Sequence, residues 1–401
     1  MRVLFLTCHL PFPPVSGGRL REHELLKRLA ANVDVHVCAV TKTFAEDVRA
    51  APLARRICHG ATVFRAAGGQ ACSNGSQPAQ VASHASSEAS TYIGGVLRGD
   101  WFDLVHVEGF YLAQHLPRHV PVPVLLVEQN IEFELWRQRM ETAREEPERR
   151  RFFLQYRLTR DAELRAWRRA TALATVTADD RATVHRLAPG LDVDVVPDGI
   201  DHLKLVERLS EPDDKSVVMT GNFAYQPTAD AAVWFCAEIL PALEARVPDV
   251  RVTLAGTDPP PEVRALARSN VTVTGRVPRI EPYLDRAAVV VGPLRIGGGI
   301  KVKILEALAR GKPIVTTSIG VQGLGEDGAD AVRIADEPER FAAAVADLLE
   351  RPQERRSLAR AARAFAAALP TWDDAAAALL ARYRALVADS REVVSGLTPR
   401  R

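Results

Sequence analysis

The chain has 401 residues, of which 47% are hydrophobic and 25% charged. That length exceeds one ordinary core and predicts two domains. The 52 basic and 50 acidic residues leave a formal net charge of +2, a balance that gives no reason to expect nucleic acid as the main partner.

Residues 3–6 are an apolar run, too short for a signal peptide and ending in His9-Leu10-Pro11, so they read as a first buried strand. Residues 19–30 carry Leu20, Leu25, Leu26 and Leu29 at helical spacing. Strands are predicted at 33–40 and 61–67. The Gly-, Ser- and Ala-rich stretch 68–90 is predicted to be a loop excursion. Strands follow at 102–107, 122–127, 173–176 and 193–196. Residues 131–169, arginine-rich with Pro147 inside, predict a helix pair whose Glu–Arg pairs face solvent; the alternative is a basic face for an anionic acceptor or a lipid surface. Pro197-Asp198-Gly199 opens a polar stretch to 214 that reads as a linker. The alternation then restarts, with strands at 216–220, 250–255, 271–274, 288–291, 313–317 and 331–334, and helices at 229–246 and 300–310. Residues 337–388 are helical apart from a break at Pro370-Thr371-Trp372-Asp373, with Thr371 as an N-cap. From about residue 390 the chain is expected to be unstructured.

Strands separated by helices imply parallel βαβ units. The predicted fold class is α/β, with two Rossmann-like doubly wound domains. Their expected bounds are 1–205, with 371–390 packing back on it as a C-terminal helix, and 206–370, leaving 391–401 as a flexible tail. The five cysteines, Cys8, Cys38, Cys58, Cys72 and Cys236, are odd in number and form no CxxC pair, which argues against a disulfide framework or zinc ribbon and fits a cytoplasmic location. No apolar run reaches about 18 residues, so no spanning segment is expected.

The most informative stretch runs from Gly292 to Leu308. A buried strand gives way to Arg295-Ile296-Gly297-Gly298-Gly299-Ile300, then to a helix with Lys301 and Lys303 in its first turn. A glycine loop opening a helix lets backbone N–H groups approach an anion, and the helix dipole favours negative charge there. Cations at a helix start are unfavourable alone, so Arg295, Lys301 and Lys303 point to a bound diphosphate. Glu306, one turn on, can accept two hydroxyl hydrogen bonds of the kind a ribose offers.

This stretch resembles the donor-binding motif of family-4 retaining glycosyltransferases of the GT-B architecture, a Glu, seven residues and a second Glu. Glu306 matches the second Glu, and Ala307-Leu308-Ala309-Arg310-Gly311-Lys312-Pro313 continues the family pattern. Gly298 stands where the first Glu falls, a glycine-rich variant that leaves contact with the donor sugar to backbone groups at Gly299 and Ile300. Further segments share the resemblance. Gly17-Gly18 follows the first strand, and Gly221-Asn222-Phe223 ends the strand whose loop faces the donor phosphates. Arg276, in Gly275-Arg276-Val277-Pro278, lies where the family holds the base. In Glu128-Gln129-Asn130, Gln129 replaces the family's His. His106 and Glu108 end the preceding strand, at the edge where doubly wound sheets bind ligands; the competing reading of His106 is a satisfied buried histidine.

The resemblance implies a cytoplasmic hexosyltransferase that uses a nucleotide-sugar co-substrate, UDP-sugar first, needs no other cofactor and no metal, and retains anomeric configuration. The donor is expected between the domains, gripped mainly by the second, and the acceptor on the first near Gly17, Gly18, His106, Glu108 and Gln129. The acceptor class stays open among sugars, lipid-linked sugars and small molecules, as does peripheral membrane contact. Asp192-Val193-Asp194 matches a metal-binding DxD but precedes a strand, which argues against metal binding there. The alternatives are a nucleotide-sugar epimerase on the same architecture and a catalytically silent sugar-nucleotide-binding protein.

Overall fold

The computed structural model describes residues 1–14, 17–68, 75–143, 145–200, 205–206 and 212–397. By contacts the chain separates into two units, one of residues 1–199 with 372–401 and one of residues 200–371. Within the first, seven parallel strands are described: β1 (Arg2–Thr7), β2 (Asp34–Thr41), β3 (Gly60–Arg65), β4 (Leu104–Glu108), β5 (Val124–Glu128), β6 (Ala172–Thr175) and β7 (Val193–Val195), in the order β3-β2-β1-β4-β5-β6-β7. The second unit has β8 (Ser216–Asn222), β9 (Arg251–Thr257), β10 (Val271–Gly275), β11 (Val289–Gly292), β12 (Ile314–Thr316) and β13 (Arg333–Ile334), ordered β10-β9-β8-β11-β12-β13. Every paired strand runs parallel to its neighbour. All strands foreseen in the sequence are present.

The reason lies in the apolar runs. Every residue of β4, β5 and β6 is buried, because helices cover both faces of a parallel sheet. Along β1 the side chains alternate between two cores. Val3 and Phe5 join Leu25, Leu29 and Leu379 on one face, while Leu4 and Leu6 join Ile93, Phe110 and Trp167 on the other. In the second unit, Val217 and Met219 pack with Phe235 and Phe341, and Val218 packs with Ile304 and Leu308. Burying one such side chain fully contributes about 1.5–3 kcal/mol.

Several local expectations are corrected. Residues 68–90 are not all loop: helices form at Ala79–Ser83 and Ser87–Arg98. Ser86 caps the second, its hydroxyl accepting from Ala89 N at 3.4 Å, and Ala89, Ile93 and Leu97 form its buried face. Composition alone hides that cap and stripe. Residues 69–74, including Cys72, lie outside the described residues, as do Val15 and Ser16 and residues 201–204 and 207–211 of the stretch read as a linker. The helix expected at 229–246 contains a π turn at Phe235–Ile239 before Leu240–Arg246. Pro241 follows that turn; without an N–H it cannot continue the preceding helical ladder. The last helix does not stop near 390 but runs from Trp372 to Leu397.

That last helix belongs to the first unit, where Trp372, Leu379, Tyr383 and Leu386 share the core of Phe5 and Leu25. Leu379 is 1% exposed, so Leu379→Ala is expected to destabilise by about 2–5 kcal/mol. Urea unfolding of the full chain checks this, and an unchanged midpoint would mean the helix contributes nothing to that core.

Candidate functional site

In each sheet the strand order reverses once, between β1 and β4 in the first unit and between β8 and β11 in the second. Helices diverge at such a point, and the carboxyl ends of the strands leave a crevice. Most of the candidate residues lie near these two reversals, whereas Arg276 follows the edge strand β10.

In the second unit, Gly221 at the end of β8 pairs with Gly256 of β9. A Cβ on Gly256 would lie 1.7 Å from the Gly221 carbonyl oxygen, so only glycine fits there. Gly221 itself has φ of 154°, and a Cβ on it would come within 3.2 Å of the Lys303 Nζ. The ammonium therefore rests against the strand end, where it donates to Thr228 Oγ1 at 2.8 Å. Burial pushes Lys303 down to about 8, and Glu306, half-buried one turn further on, pulls the other way.

The helix after the glycine loop is Val302–Ala309, so Lys301 is its cap residue and not part of its first turn. The Lys301 Nζ donates to the carbonyls of Gly298 at 3.1 Å and Gly299 at 2.7 Å. It clasps the loop from behind. Gly297 leaves room for the lysine stem, since a Cβ there would lie 2.9 Å from Lys301 Cε. Gly299 turns the chain with φ of 55°, which delivers Ile300 to the helix start. Arg295 is held by Asp230, with Nη2 to Oδ1 at 2.6 Å and Nε to Oδ2 at 3.1 Å, and its guanidinium lies over the Trp234 ring. The sequence grouped the three cations around one anion. The structure gives them different partners and leaves Lys303 nearest the strand end.

Asn222 is exposed and its side-chain oxygen accepts from Ala224 N at 3.0 Å, fixing the turn after β8. Arg276 lies beyond β10, exposed and 3.6 Å from Asp258. The two line a cavity of about 400 Å³ together with Pro259, Arg264, Thr274 and Gly275.

In the first unit, Gly17 and Gly18 begin the helix Gly17–Leu29. A Cβ on Gly18 would lie 3.2 Å from the Gln129 side-chain oxygen, so the glycine lets the helix start approach that amide. Gln129 donates to Glu108 Oε2 at 3.0 Å and to Glu22 Oε1 at 3.4 Å. Glu108 in turn binds His106 Nε2 at 2.8 Å, and the other ring nitrogen meets the Tyr383 hydroxyl at 2.6 Å. Phe5 stacks on the same imidazole at 4.1 Å. His106 is thus a fully buried histidine with both nitrogens engaged, and it orients Glu108 from inside the core. Burial would raise the Glu108 carboxyl, but the His106 bond and the nearby His106 and Arg21 charges outweigh it and hold it below its ordinary value.

Sequence reasoning missed Glu22, His9 and Cys8. Glu22 accepts from Thr7 Oγ1 at 2.6 Å and faces His9 Nε2 at 3.3 Å. The available signal was a polar Thr7-Cys8-His9 directly after an apolar strand, at a carboxyl end. Asp192 and Asp194 both pair with Arg382 of the last helix, which gives the DxD a tertiary role.

Residues 214–351 match the family model of glycosyl transferases group 1. The match to this group 1 model covers the second unit's strands and the helices among them. Across 97% of its length the chain shares the two-domain α/β fold of solved GT-B glycosyltransferases. It superimposes on sucrose-phosphate synthase from Thermosynechococcus elongatus with a TM-score of 0.69 at 18% identity, covering 97% of this chain and 100% of that one. HepE (Alr3699) of Anabaena, solved in complex with UDP, gives a TM-score of 0.62 at 16% identity and covers 99% and 100%. An uncharacterised 44.6 kDa protein in the cps region of Klebsiella pneumoniae is 23% identical over 136 residues, a match spanning 32% of this chain and only 35% of that protein. No helix among the described residues is long and apolar enough to cross a membrane.

His9 supplies a test of the first-unit cluster. Burial would push its imidazole down, but Glu22 and Cys8 outweigh burial and hold it well above the ordinary 6.5. A raised folded value stabilises fully below 6.5 and loses that contribution as pH rises through it. His9→Ala is therefore expected to cost more stability at about pH 6 than at about pH 9. Denaturant unfolding at the two values checks this, and an equal cost would remove the ion pair from the account.

Proposed function

We propose that this chain is a glycosyltransferase, moving a sugar from a nucleotide-sugar donor to an acceptor hydroxyl with retention of configuration. The observation that carries the reading is the half-buried Lys303 ammonium, lodged against the end of β8 at the strand-order reversal of the second unit. A cation lodged there matches a diphosphate better than a neutral ligand. UDP is the favoured nucleotide, supported by the UDP complex of the structurally similar HepE.

As the bond from the anomeric carbon to the diphosphate breaks, negative charge grows on the leaving oxygen. Lys303, the backbone N–H groups at Gly299 and Ile300, and the start of the helix Val302–Ala309 meet that charge. These groups supply leaving-group stabilisation without requiring a metal or other cofactor. Lys301 serves by shaping the loop. Arg295 joins if a phosphate takes the place of Asp230 at its guanidinium. Glu306 accepts the ribose hydroxyls, and Arg276 with Asp258 borders the base. In the first unit, Gly18, Glu108 and Gln129 form the acceptor side. Glu108, kept ionised, fixes the Gln129 amide so that its oxygen faces the helix start. The acceptor's proton passes to the leaving phosphate on the face from which the acceptor attacks, which gives retention. The acceptor is a sugar, a lipid-linked sugar or a small hydroxylated molecule.

Thermal shift against UDP, GDP, ADP and dTDP tests the donor site, because a ligand that binds only the folded state raises its melting temperature. UDP is expected to stabilise the wild type, and Lys303→Ala to weaken its binding by about tenfold or more. No stabilisation by any nucleotide at millimolar concentration would overturn the reading.

Binding also has a pH signature. An anion at Lys303 prefers the ammonium, so affinity is expected to fall as pH rises above about 8. Titration calorimetry of UDP on either side of that value checks the sign; affinity that rises with pH would contradict it. Once an acceptor is found, the anomeric proton coupling of the product decides the stereochemistry. An inverted product sinks the front-face route, and donor consumption without any acceptor favours an epimerase.

A further inference from the structure

Four cysteines are described, and three are chemically quiet. Burial pushes Cys38 and Cys58 up to about 12 and Cys236 up to about 11. Cys8 differs in its neighbours. It is half-buried just beyond the carboxyl end of β1, and its Sγ lies 3.2 Å from His9 Nδ1. The Tyr111 phenol hydrogen-bonds the same sulfur, and Lys42 interacts with it electrostatically. On the far side of the imidazole, His9 Nε2 faces Glu22 Oε1 at 3.3 Å. Glu22 is itself fixed by Thr7 and Gln129.

This is a nucleophile, an imidazole and an orienting carboxylate in a row. With sulfur on one nitrogen and a carboxylate on the other, the ring can hold the thiol's proton while keeping an N–H toward each neighbour. A phenol and a lysine lie beside the same sulfur, and a thiolate is the reactive form of cysteine. The transfer chemistry proposed above uses none of these groups.

We propose that Cys8 is a redox modification site, oxidised by small hydroperoxides to a sulfenic acid. In the step, the thiolate attacks the terminal peroxide oxygen. The S–O bond forms as the O–O bond breaks, and the departing oxygen takes the proton of the His9 imidazolium to leave as water or alcohol. Sulfur is oxidised and the peroxide reduced. The contacts run from Cys8 through His9 and Glu22 to Gln129, so the site is continuous with the candidate acceptor residues.

The test uses the intact chain, hydrogen peroxide as oxidant and dimedone to trap sulfenic acid, with peptide mass spectrometry reading each cysteine separately. Cys8 is expected to be trapped at least about tenfold faster than Cys38, Cys58 and Cys236. His9→Ala is expected to lower the Cys8 rate by about tenfold, because the imidazole that takes the thiol proton and returns it to the departing oxygen is lost. Far-UV circular dichroism confirms that the variant is folded, and His9→Gln carries the same comparison if it is not. Trapping at Cys8 no faster than at the buried cysteines, or a Cys8 rate unchanged in the folded His9 variant, overturns the proposal. Neither readout requires sugar transfer, so failure of the transferase reading would leave this result standing.

Discussion

A lysine ammonium partly withdrawn from water must be compensated by its surroundings, and in the second unit several sequence choices follow from that need. Moving an ammonium-sized charge into a protein interior costs several kcal/mol even after relaxation. Lys303 offsets part of this through Thr228 and the charge of Glu306. Gly221, without a Cβ, leaves room for the ammonium beside the backbone, and β8 and β9 can stay paired there only because Gly256 lacks a Cβ. A cation partly withdrawn from water is costly as pure architecture, and this one sits at the strand-order reversal.

The glycine loop solves a related problem by different means. Lys301 ties the loop's own carbonyls together, while Gly297 and Gly299 supply space and a left-handed turn. The loop's N–H groups are thereby oriented before any ligand arrives, and preorganised donors stabilise a developing charge better than mobile ones. Arg295 has its own bidentate carboxylate partner. Three cations that look equivalent along the chain thus divide into one against the strand end, one loop clasp and one ion-paired arginine.

The first unit places its polar chemistry in a chain of contacts rooted in the core. Tyr383 comes from the last helix and reaches His106 of β4, which holds Glu108, which holds Gln129. The half-buried Gln129 amide is therefore tied, through Glu108 and His106, to a residue more than two hundred and fifty places away in sequence. The same helix supplies Arg382 to Asp192 and Asp194, so a motif that resembles a metal site serves to dock a helix.

The sequence by itself determined the strands, their parallel arrangement and the location of the glycine loop. Those features rest on local patterns: apolar runs buried on both faces, helical leucine spacing, and glycines beside a helix start. The Ser86 cap and the helix continuing past residue 390 were also local, but composition masked them. What only the tertiary structure decided was partnership. Gln129 and Gly18 were legible as candidates, whereas Glu22, His9 and Cys8 were not, because nothing along the chain says which side chains meet where β1, β4 and β5 end together. Long-range contacts assign each charge its partner, and a charge's partner sets its protonation state and its chemical role.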